Sequence, residues 1–283
     1  TVSARILRTM NAISSVRLYY RIMFGTEVSA TMFDDGQHGD GLAGDGVYGA
    51  VIPNTASVGQ MIRYYIVAKD NTLTNTTRDP LFANNFSSQY HGAVVANPAL
   101  TNPLPVLHLF ITPANLSQAD NNDSARTLCS IYYLGEFYDN IGINRHGQSS
   151  QGFPKKSYDL DFNSDHQFRW NLKEPRVGDI NLLTTYPDKA HMRNMLSYET
   201  YRDAGSPYHF VSPVRVQTNG GFYGTWHMVE NGDEDFLKRV GRDRDGALYK
   251  MYNSFASSGD TVIGINGTYA EKKTRKHEAV KGF

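Results

Sequence analysis

The sequence predicts a chain in two parts, an all-β sandwich followed by a mixed α+β domain. Three observations lead there. The 283 residues exceed the usual size of one domain, and 40% hydrophobic content with 12% aromatics supplies more than one core. Residues 1–97 read as strands separated by Gly, Asp and Asn clusters, with no helix pattern of useful length. Past a proline-rich stretch, strand-length apolar runs alternate with helix-period segments.

In the first part, "SVRLYYRIMF" (15–24) and "QMIRYYIVAKD" (60–70) are long, aromatic and β-branched, and "EVSATMF" (27–33) alternates apolar with polar. Several short strands at this spacing bury their faces best as two packed sheets, an immunoglobulin- or fibronectin-like sandwich. Between them, "DDGQHGDGLAGDGVYGA" (34–50) sets Asp34, Asp35, Asp40 and Asp45 among glycines. Carboxylates on a tightly turning loop are the donor chemistry of calcium, which makes Asp35, Asp40 and Asp45 candidate metal ligands, although no closing glutamate completes an EF-hand. Asx and glycine turns account for the same composition. Residues 98–105 carry Pro98, Pro103 and Pro105 and read as the domain linker.

Residues 106–283 form the second part. "PVLHLFIT" is a buried strand, and "ANLSQADNNDSARTLC" is helical in part. A strand follows Pro154, and "DINLLTT" (179–185) is another. A helix runs over 187–205, with Asp188 its cap and Gly205 its stop. "PVRVQTNGGFYGTWHMVE" (213–230) makes two strands around an Asn219-Gly220 hairpin turn. "DEDFLKRV" opens a further helix, and "GALYKMYN" (246–253) a last strand.

Charge and composition exclude several function classes. The 28 acidic and 28 basic residues cancel, so no overall field attracts a polyanion, and nucleic acid is not an expected partner. Apolar runs such as "LPVLHLFI" fall far short of the roughly 18 residues of a membrane-spanning helix. Cys129 is the single cysteine, which rules out an internal disulfide and a cysteine-rich zinc site. No H-E-x-x-H or G-x-S-x-G motif is present. The start at Thr1 and the close on "EKKTRKHEAVKGF" lead to the expectation that both ends are cut from a longer protein.

The chemistry centres on "RHGQSSQGFPKKSYDLDF" (145–162). Gly147 and Gly152 have the spacing that begins a P-loop, but Phe153 follows and the lysine and serine arrive three residues late. A second phosphate geometry fits better. Free N–H groups of the turn and the hydroxyls of Ser149 and Ser150 cover an anion, while a lysine on the next strand supplies the point charge. Period-2 alternation puts Lys156, Tyr158, Leu160 and Phe162 on one face and Lys155, Ser157, Asp159 and Asp161 on the other. In the helix, Met192, Met195, Leu196 and Glu199 fall at i, i+3, i+4 and i+7, so Glu199 shares the apolar stripe. Two inward charges of opposite sign point to a Lys156–Glu199 pair. The competing arrangement has the lysine solvated and Glu199 paired with Arg202 along the helix.

The same stretch, with "YPDKAHMRNMLSYETYRDAG", "NGGFYGTWHMVENGDEDFLKR" and "DGALYKMYN" in that order, resembles the CotH (spore-coat protein H) kinase family over about residues 104–283. The block "MFDDGQHGDGLAGDGVYGAVIP" resembles the sandwich module that precedes such domains in large secreted bacterial proteins. The resemblance implies an atypical protein-kinase fold that binds ATP with Mg or Mn and phosphorylates protein Ser/Thr hydroxyls. It implies that Arg145, Gly147, Ser149 and Ser150 belong to the phosphate loop, that Lys156 is the nucleotide lysine with Glu199 its partner, and that Glu230 lies at the hinge. The spelling Arg145-His146-Gly147 departs from the family's usual Arg-Gly. The catalytic aspartates are expected beyond Phe283, since "GRDRDG" (241–246) has Leu248 where a catalytic loop needs asparagine. The implied setting is secreted or at a bacterial cell surface, with a protein substrate as partner. The alternative is a non-catalytic extracellular matrix, coat or adhesion scaffold whose sandwich binds glycan or protein.

Overall fold

The computed structural model describes residues 1–72, 74–81, 89–251, 263–264 and 270–275. The N-terminal unit contains β1 (Val2–Arg5), β2 (Ile13–Ile22), β3 (Val28–Thr31), β4 (Val47–Ala50), β5 (Met61–Asp70), β6 (Thr76–Asp79) and β7 (His91–Val94). β2 pairs along β5, while β6 and β7 share the other edge of β5 and β3 flanks β2. β1 and β4 form the second layer. Alternation in β2 and β5 sends Val16, Leu18, Ile66 and Ala68 into the space between the layers, where Met32 and Ala50 meet them. Each large aliphatic side chain buried there contributes roughly 1.5–3 kcal/mol.

The second unit runs β8 (Val106–Phe110), α1 (Pro113–Asn121), β9 (Thr127–Tyr133), β10 (Glu136–His146), a 3₁₀ turn (Ser149–Gly152), β11 (Ser157–Asp161) and β12 (Asp179–Thr184). It continues with α2 (Arg193–Asp203), β13 (Val211–Thr218), β14 (Gly221–Glu230), α3 (Glu234–Arg239), β15 (Tyr249–Met251), β16 (Ile263–Gly264) and β17 (Ala270–Lys272). Seven strands close into a barrel in the order β10-β11-β12-β14-β13-β8-β9. All its pairs are antiparallel except β13 with β8. Closure removes sheet edges and fills the lumen with Leu109, Ile131, Ile143, Leu160, Leu182, Val216 and Met228.

Among the described residues this unit is mostly β with short helices, its strands closed into a barrel. β9 and β10, in 127–146, supply the two strands that close the sheet on itself. The Asn219-Gly220 turn forms as expected, both residues at positive φ (50° and 87°). Asn219 also clamps β8, accepting from Ile111 N at 3.1 Å and donating to its carbonyl at 2.8 Å. Of the strand expected over 246–253, Tyr249–Met251 is present, and residues 252–253 lie outside the described residues. The charged tail from 276 onward also lies outside them.

The helix expected over 187–205 is shorter, and its apolar stripe does not face a core. Asp188 caps it from outside, its Oδ2 accepting from Met192 N and Arg193 N at 2.8 and 2.7 Å. Met192 and Leu196 remain 43% and 51% exposed, and no residue of α2 is buried. The barrel wall beside it is already a complete layer, so only the Tyr198 side is drawn in.

The two units pack directly. Met61 of β5 joins Phe110 and Phe137 in an apolar cluster. Gly92 of β7 lies so close to Phe137 that a Cβ there would sit 2.3 Å from the ring.

Candidate functional site

The outer wall of the barrel between β10 and β14 is polar. Register places Asn144 beside Asp159, Asp159 beside Asn181, and Asn181 beside Val229. One step away along the strands, Asp161 faces Asp179. Tyr158 and Leu160 point inward, as the alternation from Ser157 predicts, so Ser157, Asp159 and Asp161 belong to this outer face. Arg126 ties Asp159 and Asp161 together with two guanidinium bonds, offsetting like charges on one strand.

Above this wall lies a cavity of about 280 Å³. Its floor is His146, Asn181, Leu183 and Val229; Tyr198 of α2, His209 and Phe236 close one side, and Leu248, Tyr249, Lys250 and Lys273 the other. Glu230, Asn231 and Gly232 run along its rim. The His209 ring stacks on Phe236 at 4.5 Å and meets Tyr198 edge-on at 5.4 Å. Burial lowers the pKa of both His146 and His209, so the two rings favour their neutral forms. Asn181 is 5% exposed, and its Oδ1 has no hydrogen-bond partner. The His209 Nδ1 is likewise buried and unpartnered.

A second cleft adjoins it, sharing Asn231, Gly232 and Lys273 and adding Asp179, Asp233, Arg244 and Arg275. Burial, and then the charge of Asp233, pushes the Asp179 carboxyl up to about 8, against a bond of 2.9 Å from Asn231 Nδ2. Burial also raises Asp233, which caps α3 through bonds from Asp235 N and Phe236 N. Among the described residues no three His, Cys, Asp or Glu side chains converge as a metal site requires.

The serine turn sits at the cavity's edge, one residue past His146. Gly147 has φ +101°, and a Cβ there would lie 2.1 Å from Ser150 Oγ, so the turn requires glycine. Arg145 Nη1 reaches Asp120 O at 3.4 Å and its Nε is unpartnered. Ser149 is exposed and Ser150 half-buried.

The two lysines separate differently from the expected alternation, because β11 begins only at Ser157. Lys156 does not point into the core. Its Nζ folds back onto Gln151 O at 2.8 Å. Lys155 is the more desolvated, bonded to Thr185 Oγ1 at 3.1 Å and to Thr225 O, with its ammonium 4.1 Å from the centroid of Trp226. Burial lowers its pKa to about 8.

The expected Lys156–Glu199 ion pair does not form among the described residues. Lys156 bonds the turn, whereas Glu199 is half-buried on α2, its charge acting on Arg202 three residues on. Glu230 does line the cavity, but its carboxylate is committed to Arg239 through bonds of 2.7 and 2.6 Å. The structure therefore brings Arg145, Gly147, Ser149, Ser150 and Lys156 to one turn and Glu230 to the rim, with Glu199 apart.

In the acidic loop the carboxylates fold the chain through backbone N–H bonds. Asp40 accepts from the backbone N–H of Asp35, Gly36 and His38, Asp34 from those of Gly44, Asp45 and Gly46, and Asp45 from that of Val47. The Asp35 carboxylate bonds Gln37 N and the His38 ring. These bonds are the Asx turns that the loop's composition also allows.

Asn181, His146 and His209 were not singled out along the sequence, nor was Lys155 assigned the desolvated position. For Asn181 there was a signal: a lone amide inside the apolar run "DINLLTT", at an outward register.

Residues 143–281 match the family described as CotH kinase protein, and residues 4–69 match the conditioned medium factor second Ig-like domain. The chain is 26% identical over 147 residues to the inner spore coat protein H of Bacillus subtilis (strain 168). That match covers 52% of this chain and 39% of the relative's length. The first three barrel strands fall wholly or mostly before residue 143, outside both family matches.

Proposed function

We propose, from the match of residues 143–281 to the CotH kinase protein family and of residues 4–69 to an Ig-like domain, that the chain is the nucleotide-holding part of a CotH-like protein kinase. The carrying observation is the cavity on the barrel wall. It combines the rings of Tyr198, His209 and Phe236 on one side for a heterocycle, the amide of Asn181 on its floor, and a rim formed by Glu230, Asn231 and Gly232. Its edge continues into the serine turn, and the two lysines that follow it bond, among the described residues, only neutral oxygens. A desolvated ammonium with no counter-anion is a receptor for phosphate, and Lys155 fills that role better than Lys156.

In this reading the base occupies the cavity and the phosphates lie toward Ser149, Ser150 and Lys155. The chain's own residues bind and orient; transfer to a protein Ser/Thr hydroxyl needs an aspartate and Mg or Mn. The described residues hold no complete metal-ligand set, so no step is assigned to a metal. The likeness to a spore coat protein suggests a coat or surface location in a bacterium. No helix among the described residues is long and apolar enough to cross a membrane.

Isothermal titration of the chain with ATP and Mg or Mn tests the reading, with Lys155→Ala as control. Saturable binding that weakens in the variant is expected; no binding by the wild type overturns it. A coat scaffold is the second reading, favoured by the direct packing of the Ig-like unit on the barrel, which joins the two into one surface. It predicts no nucleotide binding.

A further inference from the structure

Asn181 is a buried cavity group whose side-chain oxygen has no partner among the described residues. Its side chain is 5% exposed, lines the cavity floor, and makes no hydrogen bond among the described residues. Leaving a buried amide unpaired is costly, and folded proteins seldom tolerate it without a use. Its neighbours in the sheet do not bond it: Asp159, beside it on β11, is held by Arg126 through Oδ2. Val229, its register partner, is apolar, and Leu183 shares its face of the strand two residues on.

An amide offers an acceptor and a donor side by side in one plane. That pattern is complementary to an edge with a donor beside an acceptor, as an adenine presents with its 6-amino group and N7. Guanine presents two acceptors on the same edge, O6 and N7, and would set one of them against the amide oxygen. Val229 and Leu183 flank the amide with flat apolar contact for the ring, and the buried, unpartnered His209 Nδ1 provides a further polar group in the same cavity.

We infer that Asn181 is the base-reading residue of this cavity, selecting an adenine nucleotide over a guanine nucleotide. The inference rests on the nucleotide reading of the cavity and adds to it the residue that sets specificity.

The test is equilibrium titration of the whole chain with ATP, GTP and inosine triphosphate, and of the Asn181→Ala and Asn181→Leu variants with ATP and GTP. Wild type should prefer ATP over both 6-oxo nucleotides by about tenfold or more, the scale of one bidentate base contact. Both variants should lose that preference. Removing an unpaired amide should leave the Tm of Asn181→Leu equal or higher, which separates lost recognition from lost folding. Equal affinity of the wild type for ATP and GTP overturns the assignment while leaving the nucleotide reading intact, and needs no variant. Retention of the ATP preference by a folded variant overturns it too. If the wild type binds none of the three, the nucleotide reading falls and this inference falls with it.

Discussion

Arg63 Nη2 lies 2.8 Å from Asp139 Oδ2, a fully buried ion pair between the sandwich and the barrel. Asp139 is satisfied from both sides, accepting from Ser130 Oγ at 2.6 Å and from Tyr90 N at 2.9 Å, while the guanidinium packs 4.4 Å from the Tyr90 ring centroid. Such a network is weak evidence for net stability, but breaking it leaves a charge buried without a partner. Arg63→Ala should therefore destabilise the chain by about 3–5 kcal/mol. Urea unfolding followed by both fluorescence and circular dichroism checks this, and a loss under 1 kcal/mol would show the pair to be solvated.

Gly92 has no unusual backbone, so its requirement is one of space. The Phe137 ring occupies the position where a Cβ would project. Gly92→Ala should lower Tm by several degrees, and Phe137→Leu in the same chain should recover part of the loss. Simple additivity of the two changes would deny the contact.

Asp179 carries a raised pKa in the folded state, about 8 against an ordinary 3.8. A raised carboxyl stabilises the fold while protonated, so its contribution is complete below about pH 3.8 and is lost as pH rises through 8. Asp179→Asn keeps the shape without the charge. The variant should match wild type near pH 4 and exceed it in thermal stability at pH 8–9. A constant difference across that range would remove burial as the cause.

Lys155 is lowered to about 8 by burial beside Trp226. Its rate of acylation by a small anhydride, followed by peptide mass mapping, should rise with a midpoint near pH 8, about two units below an ordinary lysine. ATP present in excess should shift that midpoint upward if phosphates seat there. A midpoint near 10 without nucleotide would contradict the desolvation.

Period-2 patterning was legible in β2, β5 and β11, where alternate residues bury because the pleat sends them there. The hairpin at Asn219-Gly220 was equally legible, since both residues must hold positive φ. The helix stripe misled. Met192, Leu196 and Glu199 have core spacing, yet periodicity reports which residues share a face, not whether anything covers that face.

Local order along the chain thus carried the strands, the turns and the glycine-dependent loop, because each depends on neighbours within a few residues. Barrel closure, the ion pair of Arg63 with Asp139, the stranded amide of Asn181 and the partner of each lysine arise between residues tens of positions apart. Whether a polar group ends buried and paired, or buried and unsatisfied, is set by which distant surface arrives against it, and only the packed chain shows that.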